Sequence, residues 1–195
     1  VDSDTVSVLL NSPTIVTATG LSLQQGSAPS NSPIATVTNY GGNGSVGVTV
    51  TSANPANGVT ISNIINSDGN ITADIVSSCG ATTATFTLRA SDGSSSATAT
   101  LNINVTANTA PTLTYQNQTV ALNGKLAIEP ADGPSDNGRM NAIVKQSSGT
   151  FTGDISVDDT TTGVVSVTNA APAGTHTITI RVTDNCGATT DANFT

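Results

Sequence analysis

Aliphatic and polar residues alternate through much of this chain. Three stretches carry the pattern most plainly: VGVTVTS (Val46–Ser52), TATLNINV (Thr98–Val105) and THTITIRV (Thr175–Val182). Successive side chains of an extended strand point to opposite faces, so this period of two puts aliphatic residues on one face and Thr, Asn or Arg on the other. Such a strand is half-buried and belongs to an antiparallel sheet. Between turn signals, the first half predicts strands at Thr14–Thr19 with a continuation near Leu21–Gln24, then Ile34–Asn39, Ser45–Ser52, Val59–Ile64, Ile71–Ser77, Ala84–Ser91 and Ala97–Val105. The second half predicts Thr112–Tyr115 with Gln118–Leu122, then Lys125–Glu129, Met140–Ser147, Asp154–Asp158, Val164–Asn169, Thr175–Thr183 and Thr189–Thr195. Asp-Gly within NSDGN (Asn66–Asn70) supports positive φ and predicts a tight hairpin.

Short strands at this spacing predict an all-β chain of two consecutive seven-stranded, immunoglobulin-like Greek-key sandwiches. The expected boundaries are residues 1–107 and 108–195, with TANTAP (Thr106–Pro111) as a short stiff hinge, because proline fixes φ and donates no hydrogen bond. RASD (Arg89–Asp92) and RVTD (Arg181–Asp184) sit 92 residues apart, and each ends a sixth strand. The pentapeptide CGATT also occurs twice, at Cys79–Thr83 and Cys186–Thr190, but 107 residues apart. The sandwiches therefore repeat, whereas the cysteines fall at different places in them. In the same register Phe194 stands where Leu101 does, and the last strand of the second sandwich is expected to stop about three residues short. A longer parent protein with further such domains is the expectation.

Composition narrows the function. Charged residues make up 9% of the chain and aromatics 3%, and there is no Trp. Thr and Val are stiff at χ1, and Ser and Asn compete with the helical backbone, so helix is disfavoured. The net charge is −8, which leaves no cationic footprint for nucleic acid. No run approaches the roughly 20 apolar residues of a membrane span, and none reads as a signal peptide. The chain begins with Val, which suits a mature or excised fragment.

In a seven-strand sandwich the loop before strand six and the loop after it lie at opposite ends. Cys79, before strand six of the first sandwich, and Cys186, after strand six of the second, would then both face the linker. A Cys79–Cys186 disulfide is the reading this favours. Two buried thiols, or bonds to cysteines elsewhere in a parent protein, are the alternatives. A bridge would place the protein in an oxidising compartment.

Residues for catalysis are sparse, and no enzymatic activity is expected. His176 is the one histidine and is expected to pack on the face shared by Ile178, Ile180 and Val182. Glu129 is the one glutamate, and Asp158 and Asp159 read as turn residues. Two distant cysteines and one histidine make no zinc spacing. Calcium is the ligand to weigh, since hard cations take several loop oxygens. Asp132, Asp136 and Asn137 in ADGPSDNG, with Asp184 and Asn185 in TDNC and Asn108 nearby, form such a set. These are equally ordinary turn residues, and their spacing matches no specific calcium loop. No other cofactor is implied. Tyr40, in NYGGNG, is the aromatic in a loop, read as a ligand contact or a loop plug. Sequons at Asn43, Asn70, Asn104, Asn117 and Asn193 are weak signals in a chain so rich in Asn and Thr.

NTAPTLTYQNQTVALNG and AAPAGTHTITIRVTDNCGATTDANFT resemble the tandem immunoglobulin-like or cadherin-like repeats of large bacterial surface proteins, as does SANPANGVT in the first half. The resemblance implies a structural or adhesive module of a secreted or cell-surface protein: a stalk, adhesin or filament subunit. Its partners would be neighbouring repeats, with self-association into a fibre by strand addition. The acidic linker motif of cadherins is missing. The rival expectation is an accessory ligand-binding or spacer module of a secreted hydrolase.

Overall fold

The computed structural model describes residues 12–39, 46–159 and 161–195. The chain divides into two compact units, Val1–Thr106 and Ala107–Thr195. Every regular element among the described residues is a strand.

The first unit contains β1 (Thr14–Thr17), β2 (Ser22–Gln24), β3 (Ser30–Thr38), β4 (Gly47–Val50), β5 (Val59–Ser67), β6 (Asn70–Ser77), β7 (Ala84–Ser91) and β8 (Ser96–Thr106). One sheet has the order β1-β3-β6-β5 and the other β2-β8-β7-β4. This is the immunoglobulin-like arrangement, with a first strand shared between sheets. Gly20, at φ 74°, divides it: β1 pairs antiparallel with β3, and β2 pairs parallel with β8. The sequence reading of one continued strand thus becomes two, giving eight strands among the described residues of this unit where seven were expected. Asp68 (φ 51°) and Gly69 (φ 85°) make the two-residue turn between β5 and β6. Both central residues are left-handed, as the Asp-Gly signal predicts.

Alternation decides the packing. In β7 the pattern is strict: Ala84, Phe86, Leu88 and Ala90 are buried, while the residues between them are not. They meet Leu101 and Ile103 of β8 and Ile34, Ile71 and Ile75 of the facing sheet in one core. Burying each large aliphatic or aromatic side chain contributes about 1.5–3 kcal/mol before entropy is subtracted.

The second unit contains β9 (Thr112–Thr114), β10 (Leu126–Ile128), β11 (Asp132–Ser135), β12 (Met140–Ser147), β13 (Asp154–Val157), β14 (Val165–Thr168), β15 (Ile178–Asp184) and β16 (Thr189–Phe194). Its sheets are β10-β14-β13 and β12-β15-β16, with a two-stranded β11-β9 pair. Leu113, Ile128, Ile143, Val165, Ile180, Val182 and Phe194 form its core. Three differences from the sequence reading stand out. Asp132–Ser135 is a short strand, antiparallel to β9 with a register shift, rather than a loop. Gln118–Leu122 forms no strand; Gln118 donates its N–H to Thr195 O, and among the described residues no ladder continues beyond that point. His176 lies before β15, half-buried, rather than on it.

Tyr115 anchors this unit. Its ring lies 5.1 Å from that of Phe194, and its hydroxyl donates to Gly163 O at 2.5 Å. Burial pushes the phenol pKa up from 10.0 to about 12, because the low-dielectric surroundings disfavour the phenolate.

Candidate functional site

The acidic loops of the second unit contain the residues proposed for calcium. Asp184 ends β15 and is fully buried. Its carboxylate accepts hydrogen bonds from Asn108 Nδ2 (2.6 Å), Cys186 N (2.8 Å) and Ala188 N (2.8 Å). Burial alone would raise its pKa. Donation by Asn108 and by the backbone of Ala188, Cys186 and Gly187 outweighs that penalty and holds it below the ordinary 3.8. The carboxylate thus closes the β15–β16 turn. Asp92 does the same work after β7, accepting from Ser94 N (2.8 Å) and Ser95 N (2.7 Å). The backbone donors of Ser95 and Ser94 lower its pKa. The two residues are the shared Asp of RASD and RVTD, so the repeated motif marks a repeated turn.

The other members of the set are spread around this turn. Asp136 Oδ2 accepts from Gly138 N at 2.9 Å, and its Oδ1 is buried with no hydrogen-bond partner among the described residues. Asn185 Oδ1 accepts from Arg139 N at 3.4 Å, and Asn185 N donates to Arg139 O. Asp132 is exposed on β11, and Asn137 is exposed in the following loop. Among the described residues, no group of three or more His, Cys, Asp or Glu side chains comes together to hold a metal ion.

Cys79 is exposed in the loop between β6 and β7, and Cys186 is half-buried in the turn between β15 and β16. Both are disulfide-bonded.

His176 is fastened to loops. One ring nitrogen, Nδ1, is 2.8 Å from Thr150 Oγ1, and Nε2 is 2.9 Å from Pro172 O. Phe151 meets the imidazole edge-on, with ring centroids 5.5 Å apart. Both rings line a groove of about 500 Å³ in the second unit. The groove lies between the Asn117–Val120 stretch, the approach to β15 and the end of β16, and Leu126, Ile128 and Val167 are among the apolar residues that line it. Sequence reasoning missed this groove.

The outer faces are tied across strands by neutral pairs. Thr83 Oγ1 donates to Asn104 Oδ1 (3.1 Å), Thr85 Oγ1 to Asn102 Oδ1 (3.0 Å) and Thr179 Oγ1 to Asn193 Oδ1 (2.7 Å). Asn70, Asn104, Asn117 and Asn193, the sequon residues described, are exposed. Tyr40 and Asn43 lie outside the described residues.

No protein-family model matches the chain, and no curated protein matches it. Among solved structures it is similar to an endo-fucoidan hydrolase of glycoside hydrolase family 107, at 15% identity over 98% of this chain and 29% of that one, with a TM-score of 0.42. It is also similar to a chimeric titin Z1Z2 carrying a decorin peptide, at 19% identity over 96% of this chain and 97% of that one, TM-score 0.45. The N-terminal four immunoglobulin domains of Dscam1 match at 9% identity over 93% of this chain and 50% of that one, TM-score 0.35. The chain spans 29% of the length of the hydrolase. No helix among the described residues is long and apolar enough to cross a membrane.

Proposed function

We propose that this chain is a structural or adhesive module of a secreted or cell-surface protein, working as a spacer or stalk segment rather than as an enzyme. The observation that carries this reading is the oxidised state of both cysteines, since disulfides persist in exported proteins and are rare in the reducing cytosol. The neutral Thr–Asn pairs add to it, giving outer faces whose polar groups are already satisfied by one another. Asp184, the most buried ionisable group named for chemistry, is spent on holding a turn.

On this reading the disulfide joins Cys79 to Cys186 and restrains the two modules. In the chain-entropy account, closing a loop of about 100 residues is worth roughly 4–5 kcal/mol against the unfolded chain. Peptide mapping of the unreduced protein tests it, paired with thermolysin digestion before and after reduction. A linked Cys79–Cys186 peptide and faster cleavage after reduction are expected. Free thiols in protein secreted through an oxidising compartment would overturn the reading. Retention of the chain on a sulfated polysaccharide column would favour the accessory module of a hydrolase instead.

A further inference from the structure

SANPANGVT (Ser52–Thr60) is a motif of the first unit that the spacer reading leaves without a role. It holds an Asn-Gly pair, and Asn57 (φ 48°) and Gly58 (φ 78°) both take the left-handed conformation of a tight hairpin turn. Across the turn Ala56 N donates to Val59 O at 2.9 Å and Val59 N donates to Ala56 O at 2.8 Å. The segment before the turn therefore folds back onto the start of β5. That strand stands at the end of its sheet, with β6 on its inner side.

In an antiparallel pair, successive residues turn their backbone groups alternately toward the partner strand and away from it. Val59 and Ile61 turn theirs away from β6, to the outer side of the sheet. Ala56 takes both groups of Val59, and the Asn54 side chain takes both groups of Ile61. Ile61 N donates to Asn54 Oδ1 at 3.0 Å, and Asn54 Nδ2 donates to Ile61 O at 2.7 Å. A carboxamide offers an acceptor and a donor side by side, as a strand does, so Asn54 stands in for a paired residue. Pro55, between the two contacts, has no N–H to present outward. Beyond Ile61 the edge is broken again: the register with β6 shifts between Ser62 and Ile65, and Asn63 stands at φ 49°. Such a bulge twists an edge away from an incoming strand. The turn is anchored in its own right. Ser78 N donates to Gly58 O (2.9 Å), Thr82 N to Asn57 O (3.0 Å) and Asn57 Nδ2 to Thr83 O (2.8 Å).

We propose that Asn54–Ala56 is a built-in edge cap, which keeps β5 from pairing with β5 of a second copy of the chain. A bare edge presents N–H and C=O groups at the spacing another strand requires. The outward groups of Val59 and Ile61 are self-complementary, so two copies related by a twofold axis would satisfy each other. Ala56 and Asn54 occupy those groups first, because a contact within the chain has the advantage of effective concentration. A fibre built by strand addition must then use another edge. The inference concerns β5 alone and is independent of the spacer reading, which holds whether or not this edge is capped.

Amide hydrogen exchange and sedimentation velocity of the 195-residue chain test it. The Val59 and Ile61 N–H groups should be protected although their strand ends a sheet. Asn54→Ala, which leaves the turn intact, should speed exchange at Ile61 at least about 10-fold, with little change at Val59. Combining it with Asn57→Ala, which puts alanine at a positive φ, should open the cap. Sedimentation from about 10 µM to about 1 mM should then show dimers beyond any formed by the wild-type chain. In the same samples the Val59–Ser62 amide resonances should shift with concentration. Wild-type amides at Val59 and Ile61 that exchange like unprotected ones overturn the proposal. So does Ile61 exchange that Asn54→Ala leaves unchanged, a readout that does not depend on the double variant folding. A folded double variant that sediments like the wild type, or associates without moving the Val59–Ser62 amides, overturns it as well.

Discussion

Asn108 donates its Nδ2 hydrogen to Asp184 Oδ2 at 2.6 Å, joining residues 76 positions apart in sequence. With two backbone donors from its own turn, this bond lets a fully buried carboxylate stay charged.

Removing the acceptor strands those donors. Asp184→Ala should lower stability by about 1–3 kcal/mol, read as a fall in the urea midpoint. The pH dependence has a definite sign. A carboxylate whose folded pKa lies below its unfolded value stabilises above the unfolded value, here 3.8, and loses that contribution as pH falls through the folded value. Wild-type stability should therefore fall more steeply than that of Asp184→Asn as pH drops below 3.8.

Tyr115 gives the opposite limb. Its neutral form is favoured in the folded state, so its contribution is complete below pH 10.0 and is lost as pH rises toward about 12. Tyr115→Phe should flatten this alkaline limb. The same variant leaves Gly163 O buried without its donor, at a cost of about 1–2 kcal/mol near neutrality. Denaturant titrations between neutral and alkaline pH measure both effects.

Gly133 sits at φ +81°, where a Cβ would overlap the Thr112 carbonyl. Gly133→Ala combines a strained backbone with a backbone collision in the β9–β11 pair. A loss of roughly 2 kcal/mol or more is expected. Gly93→Ala, at φ +91° with open space around its Cβ, should cost less. Thermal unfolding of the two variants side by side separates crowding from φ strain.

Arg181 and Asp191 form a bidentate ion pair directly across β15 and β16, at 2.7 and 2.8 Å, with side chains 36% and 40% exposed. At that exposure the pair contributes little. Arg181→Ala should change stability by no more than about 1 kcal/mol, well below the effect of Asp184→Ala in the same assay.

The all-β class and most strands were legible because alternation is written residue by residue, as in β7 and β15. The Asp-Gly turn was legible because few residues accept two successive positive φ angles. What escaped detection depends on backbone or on distant partners. Asp132–Ser135 joins β9 through main-chain hydrogen bonds, which are indifferent to its turn-forming side chains. His176 has the right parity for the core, but the ladder begins two residues after it, and its ring nitrogens turn to Thr150 and Pro172 instead. Nothing in the sequence pairs the Tyr115 hydroxyl with Gly163. Asp184 was half legible: the RASD and RVTD match indicated a shared turn, while its burial and its bond to Asn108 arise only in the folded chain.

The Thr–Asn pairs on the outer faces carry a consequence for the surroundings the molecule tolerates. Thr83–Asn104, Thr85–Asn102 and Thr179–Asn193 link strands without any formal charge. Dissolved ions screen attraction between charges over about 10 Å at 0.1 M, but they have no such hold on a hydroxyl–amide bond. These cross-strand ties should hold alike in fresh water and in brine.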